Sequence, residues 1–172
     1  CNLLKLAGLT VYDVEWVDYH GGSIRVYASK DKRKGSKSVQ EHISKEEDAN
    51  LFDPQQYTEF MKSIKRKRDF WLSELYRISG EGYPIVAIGA AAKGNTFLNY
   101  YNLDNSIIDY VTDTSEHKVG KYTPLSRIPI LTDTEVFSKY DKVYAFILSW
   151  NISDLIKGKL QAINKNIEFL IK

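Results

Sequence analysis

Gly89, Lys93, Gly94 and Thr96 fall close together in the stretch PIVAIGAAAKGNTFLN, residues 84–99, and their types suit a bound phosphate. Glycine lets backbone approach an anion, and lysine adds a mobile positive charge. The free N–H groups of a helix's first turn, with about half a unit of charge from the helix dipole, complete such a site. Gly89-x4-Gly94 approaches the P-loop pattern, but Asn95 stands where its lysine belongs, so nucleotide hydrolysis is not supported. Nor is the stretch a dinucleotide fingerprint, because Ala91 replaces the second, close-approach glycine. The alternative is pure packing, small residues letting a helix lie tightly on its strand.

Such a site needs a strand ending at Gly89 and a helix beginning soon after it. Ile85–Ile88 is a short apolar run bounded by Pro84 and Gly89, which predicts a buried strand, while Phe97, Leu98, Tyr100 and Tyr101 follow at helical spacings. Similar alternation continues. Strands are expected at 106–112, 127–131, 141–150 and 167–171, with helices at 132–139 and 151–164, the latter presenting Ile152, Leu155, Ile156, Leu160 and Ile163 on one face. Alternation of this kind predicts an α/β fold, a Rossmann-like parallel sheet flanked by helices, whose ligands bind beyond the carboxyl ends of the strands. Gly89–Thr96, Asp113 and Trp150-Asn151 all fall at such ends. Asp113 is near where a dinucleotide fold places a ribose-binding acid.

The front of the chain reads differently. Leu3, Leu4 and Leu6 suggest a piece of amphipathic helix ending at Gly8. LTVYDVEWVDY, residues 9–19, alternates, with Val11, Asp13, Glu15 and Val17 on one face and Tyr12, Val14, Trp16 and Asp18 on the other. His20-Gly21-Gly22-Ser23 turns the chain into a second strand over 24–28, giving an antiparallel hairpin. Two strands alone are marginal, so the hairpin must complete a sheet begun upstream or dock on the later part of the chain. The basic run KDKRKGSK and the polar residues to Asn50 read as a solvated connector. Asp53-Pro54 then caps a long helix ending near Gly80 and Gly82, apolar at Tyr57, Phe60, Met61, Ile64, Trp71, Leu72, Leu75 and Ile78.

The 172 residues suffice for one domain with an attached piece, and 22 aromatic side chains can fill a core. A net charge of only +2 gives no reason to expect a nucleic-acid partner. No apolar run approaches the roughly 20 residues of a membrane span, so no membrane partner is expected. One cysteine, Cys1, excludes an internal disulfide and fits a reducing, cytoplasmic compartment. A start at Cys1, running straight into structured apolar sequence, reads as a fragment of a longer protein.

Four ordered blocks, AGLTVYDVEWVDYHGGSIRVYAS, IGAAAKGNTFLNY, VTDTSEHKVGKYTPLSRIPI and FILSWNISDLI, resemble S-adenosylmethionine-dependent sugar C-methyltransferases, covering nearly the whole chain. The resemblance implies that residues 1–29 close a methyltransferase domain, 30–82 form a linker and joining helix, and 83–172 form a Rossmann-like substrate-binding domain. It further implies a nucleotide-diphosphate sugar as substrate and the upstream methyltransferase domain of the same protein as partner. Zinc and S-adenosylmethionine would be held before Cys1, leaving no cofactor in this fragment and no catalysis by it alone. His20, Gly21, Gly22, Ser23 and Arg25 match the block lining the cleft from the methyltransferase side, with His20 a substrate-orienting imidazole or else a turn histidine bonding its own backbone. Gly89, Ala91, Lys93, Gly94, Asn95 and Thr96 match the block facing the diphosphate. Asp113, Lys118, Gly120, Lys121, Tyr122 and Pro124 match the second block, and Trp150 with Asn151 the third. Trp150 packs on base or sugar in this reading, or else in the core.

The chain departs from the family where Leu125 follows Pro124 in place of glycine, where Ser115-Glu116 precedes His117-Lys118, and at Asp154. Leucine takes positive φ only at a cost, so the geometry of that loop is in question. Two other classes stay open: a non-catalytic nucleotide- or CoA-type binding module, and, on one incomplete glycine motif, half of an NAD-dependent oxidoreductase.

Overall fold

The computed structural model describes residues 1–19 and 21–170, and the chain divides into two compact units, Cys1–Ile64 and Lys65–Lys172. In the first unit a short helix α1 (Asn2–Leu6) precedes strands β1 (Thr10–Val17) and β2 (Ser23–Ser29), paired antiparallel from Thr10↔Ser29 to Val17↔Ser23. The expected strict alternation fails in β1. The register shifts between Val11 and Asp13, which inserts one extra residue and turns Val11 and Val14 to the same buried side. Trp16, further along the same strand, is 65% exposed.

The solvated connector expected after β2 contains a helix, α2 (Lys37–Asp48). Its sequence is so polar that only Val39 and Ile43, one turn apart, show an apolar face, and these pack with Val11, Val14, Leu4 and Ala28. Ser36 caps it, accepting from the Val39 N–H, while the Ser36 hydroxyl donates to Asp13 Oδ1 at 2.6 Å. Ser36 N–H also donates to the Tyr12 carbonyl at 2.9 Å, so the extra residue in β1 anchors the loop. The long helix α3 (Pro54–Gly80) contributes to both units, opening with Asp53 Oδ1 accepting from Gln55 N–H at 2.9 Å.

The second unit is a five-stranded, wholly parallel sheet in the order β5-β4-β3-β6-β7. Its strands are β3 (Ile85–Ile88), β4 (Tyr110–Thr112), β5 (Ile130–Leu131), β6 (Val143–Ile147) and β7 (Ile167–Leu170). The chain starts at the centre with β3, works outward to β5, then returns to lay β6 on the other side of β3. That reversal is the topological switch point. On one face α3 and α4 (Ala92–Tyr100) cover Ile85, Ala87, Val111 and Phe146 with Leu75, Ile78 and Leu98. On the other, α5 (Asp133–Phe137) and α6 (Ser153–Gln161) cover Val86, Ile88, Ala145 and Ile147 with Val136, Phe137 and Leu160. Adjacent residues of β3 and β6 thus face opposite cores, as buried parallel strands require.

Several strands are shorter than their apolar runs suggest. Residues 106–108 form a turn rather than the start of β4. The Asp104 carboxylate accepts from Ser106 N–H at 2.9 Å and the Ser106 hydroxyl at 2.6 Å, and Ile108 N–H reaches the Asp104 carbonyl. The turn before β5 lies at 124–126, residues 127 and 128 lead out of it to a bridge of Pro129 with Tyr122, and a 3₁₀ turn over Trp150–Ile152 leads into α6. The expected strand over 167–171 is found to Leu170, its last position lying outside the described residues.

Candidate functional site

The turn between β3 and α4 is shorter than the sequence suggests, because α4 starts at Ala92 and places Lys93, Gly94, Asn95 and Thr96 inside the helix. Only Gly89, Ala90 and Ala91 connect strand to helix. Gly89 holds φ +97°, and a Cβ there would stand 2.2 Å from Ser149 Oγ, at the end of the neighbouring strand β6. Gly94 has the packing role. A Cβ on it would lie 2.9 Å from the Gly89 carbonyl oxygen and 3.1 Å from Leu148 Cβ, so glycine lets α4 sit against the sheet. The Thr96 hydroxyl donates to the Ala92 carbonyl at 3.1 Å, and Asn95 Oδ1 is buried without a partner.

Lys93 Nζ donates to Asn151 Oδ1 and stands 5.2 Å from the centre of the Trp150 ring. The sequence separates these residues by more than fifty positions, and only the pairing of β3 with β6 brings them together. Trp150 is half exposed, which removes the core role left open for it. The first turn of α4 opens at Ala91 with no side-chain cap, and α6 opens at Ile152 likewise, whereas α2, α3 and α5 are capped by Ser36, Asp53 and Thr132. Helix ends flanking the switch point therefore present N–H groups to the rim, next to a lysine and a half-exposed aromatic face.

Asp113 ties the rim together. Its Oδ2 accepts from Ala90 N–H at 2.9 Å and Lys118 Nζ at 3.0 Å, and its Oδ1 accepts from Ser115 N–H at 2.9 Å. Burial alone raises this carboxyl, but the hydrogen bonds from Ser115, Lys118 and Ala90 outweigh it and hold Asp113 below the usual carboxylate range. Both oxygens are engaged by the protein's own donors, so Asp113 acts here as an organiser of the turn.

The remaining second-block residues sit at the β5 edge. Gly120, at φ +80°, donates its N–H to the Ile130 carbonyl, Lys121 O accepts from Ile130 N–H, and Tyr122 bridges to Pro129. Tyr122 is exposed, with the Arg127 guanidinium 5.3 Å from its ring centre. Pro124 begins the turn in which Leu125 adopts φ +64°. Leucine therefore keeps the left-handed geometry that glycine would take freely. Leu125→Gly is expected to raise stability by about 1 kcal/mol, since the left-handed conformation costs a side chain about 1–2 kcal/mol and the added freedom of unfolded glycine returns part of it. Urea denaturation of the two proteins checks this, and equal midpoints would contradict it.

In the first unit, Gly21 and Gly22 hold φ +86° and +114°, and a Cβ on Gly22 would overlap the Trp16 ring at 2.4 Å. The Ser23 hydroxyl donates to the Tyr19 carbonyl at 3.0 Å, and Arg25 pairs with Glu15, which also accepts from the Tyr27 hydroxyl at 2.9 Å. His20 lies outside the described residues. Sequence reasoning missed Ser149 and the Ala90 N–H, because their importance depends on which strands are neighbours. Among the described residues no group of three or more His, Cys, Asp or Glu is placed to hold a metal ion, and no helix is long and apolar enough to cross a membrane.

Residues 18–172 match the family described as C-methyltransferase C-terminal domain. The chain is also 29% identical over 175 residues to the C-methyltransferase NovU of Streptomyces niveus, an alignment covering 99% of this chain and 41% of that protein. It thus spans about two-fifths of the length of the curated relative it matches.

Proposed function

Because the chain belongs to the C-methyltransferase C-terminal domain family, we propose that it is the substrate-holding part of an S-adenosylmethionine-dependent enzyme that methylates a sugar carbon of a nucleotide-linked deoxysugar. The observation that carries this reading is Lys93, bonded to Asn151 and set over Trp150 beside the uncapped end of α4. A diphosphate laid across that rim meets helix N–H groups and one mobile cation, and lacks the P-loop lysine or close-approach glycine of hydrolytic or hydride-transfer sites.

The methyl donor is assigned to the preceding part of the protein. Ser149 stands against one side of Gly89 in the turn after β3, beside a cavity of about 180 Å³. In this reading the chain's own role is to bind and orient the sugar nucleotide. The same preceding part is expected to cover the hairpin, where Trp16, Ile24 and Val26 are exposed, since a two-stranded sheet is marginal by itself.

Lys93→Ala should weaken binding of a thymidine- or uridine-diphosphate sugar about thirtyfold, the equivalent of about 2 kcal/mol for a hydrogen bond to a charged group. Titration calorimetry on the chain measures it. Absence of binding both by this chain and by the full-length protein would sink the proposal.

A further inference from the structure

At the amino ends of the parallel strands, away from the switch point, an open cleft of about 430 Å³ is lined by Ser79, Tyr83, Pro84, Ile107, Asp109 and Tyr140. Ser79 belongs to the last turn of α3, Tyr83 and Pro84 lead from that helix into β3, Asp109 immediately precedes β4, and Tyr140 stands shortly before β6. Two of these residues are fixed by the backbone around them. Asp109 Oδ2 accepts from Ile85 N–H at 2.8 Å, and Asp109 N–H donates to the Ile85 carbonyl at 2.9 Å. Asn164 Nδ2 donates to the Tyr140 carbonyl at 2.7 Å and to the Phe137 carbonyl at 3.1 Å, which holds the turn that carries Tyr140.

Three oxygens of this lining are left over. Among the described residues, Asp109 Oδ1 and the hydroxyls of Ser79 and Tyr140 have no hydrogen-bond partner in the protein. The end of α3 adds the negative pole of a helix dipole, about half a unit of charge. Burial first, then Asp109 and Tyr110, push the Tyr140 phenol above its ordinary value, so it stays a neutral hydroxyl beside the Asp109 charge. The nearby lysines are held on neighbouring rings. Lys139 Nζ lies 5.0 Å from the centre of Tyr110, and Lys142 Nζ lies 4.8 Å from that of Tyr83 and 5.3 Å from that of Tyr144. A phosphate in the cleft would face a carboxylate and the wrong end of a helix. A primary ammonium has three donors and no acceptor, which matches three unpaired oxygens, and its alkyl stem can lie along Tyr83, Pro84 and Ile107.

We propose that this cleft binds a primary alkylammonium group, with Asp109 as its counter-ion and the Ser79 and Tyr140 hydroxyls as the other two acceptors. The group is carried either by a lysine of a partner protein or by a free amine. The site lies at the other end of the strands from the diphosphate rim and stands or falls independently of it.

Chemical-shift titration of the isotope-labelled chain with n-butylammonium, n-butanol, tetramethylammonium and Nα-acetyl-lysine methylamide tests this. Saturable shifts are expected at the amides of Ser79, Tyr83 and Tyr140 with n-butylammonium. It should bind about tenfold more tightly than n-butanol, which lacks the charge, or tetramethylammonium, which lacks the donors. Asp109→Asn keeps an oxygen for Ile85 N–H and removes the charge, so it should weaken n-butylammonium about tenfold while the rest of the spectrum is unchanged. Tyr140→Phe should weaken it about threefold. The lysine derivative binding about tenfold more tightly than n-butylammonium assigns the cleft to protein lysines, and equal or weaker binding assigns it to free amines. Either result upholds the site. No saturable shift, n-butanol or tetramethylammonium binding as tightly as n-butylammonium, or full affinity in Asp109→Asn would overturn it and leave the diphosphate reading untouched.

Discussion

Gly89→Ala is expected to cost about 4 kcal/mol of stability. Two separate penalties meet there. The backbone is at φ +97°, where a side chain is strained by about 1–3 kcal/mol, and the new Cβ would fall 2.2 Å from Ser149 Oγ, an overpacking of about 1–3 kcal/mol. Ser149→Gly removes the second penalty and leaves the first. The double variant should therefore recover about half of the loss, a coupling that denaturant unfolding of the four proteins in a double-mutant cycle would read. Strict additivity would show that the Gly89–Ser149 contact does not set the spacing of β3 and β6 at the rim.

Asp113→Asn should cost about 2–3 kcal/mol. The two carboxylate oxygens serve different backbone donors, Oδ2 that of Ala90 and Oδ1 that of Ser115. An amide offers one oxygen, so one buried N–H would face an NH₂ group, and Lys118 would lose its counter-charge. The pH dependence gives a second readout. The folded carboxyl titrates below its ordinary value, so its contribution is fully present above about pH 4, the unfolded value, and is lost as pH falls through the lower folded value. Urea titrations between pH 3 and 7 should show a shallower acid limb in Asp113→Asn than in the parent. Parallel limbs would mean that another carboxylate carries the acid sensitivity.

The two substitutions affect function by different routes. Gly89 holds the strand ends together, whereas Asp113 fixes the Ala90 N–H and the loop leading to Lys118. Neither needs to touch a ligand to alter binding, because Lys93 depends on a helix that begins three residues after Gly89.

Much of this arrangement was legible in the sequence. Short apolar runs alternating with amphipathic ones specify a parallel sheet between helices, since strands buried on both faces carry no polar side and most parallel crossovers carry a helix, the β4–β5 connection being the exception. The Pro84–Asn99 stretch announced a strand, a small-residue turn and a helix start by its composition alone. Helix α2 was hidden because one valine and one isoleucine among ten polar residues give almost no periodicity, and the hairpin surface that makes their contacts worthwhile comes from elsewhere in the chain. The bulge in β1 was hidden for a related reason, as alternation is read on the assumption that no residue is inserted.

The sequence by itself determined the local elements, the glycine at a turn that no side chain fits, and the family to which its ordered blocks point. Tertiary structure alone decided which residues meet. Strand order set Ser149 against Gly89 and Asn151 against Lys93, engaged both oxygens of Asp113, and left Thr112 without a partner beneath an uncovered face of α6. The physical reason is that neighbours across a sheet are fixed by the pairing of distant strands. No local propensity records that pairing.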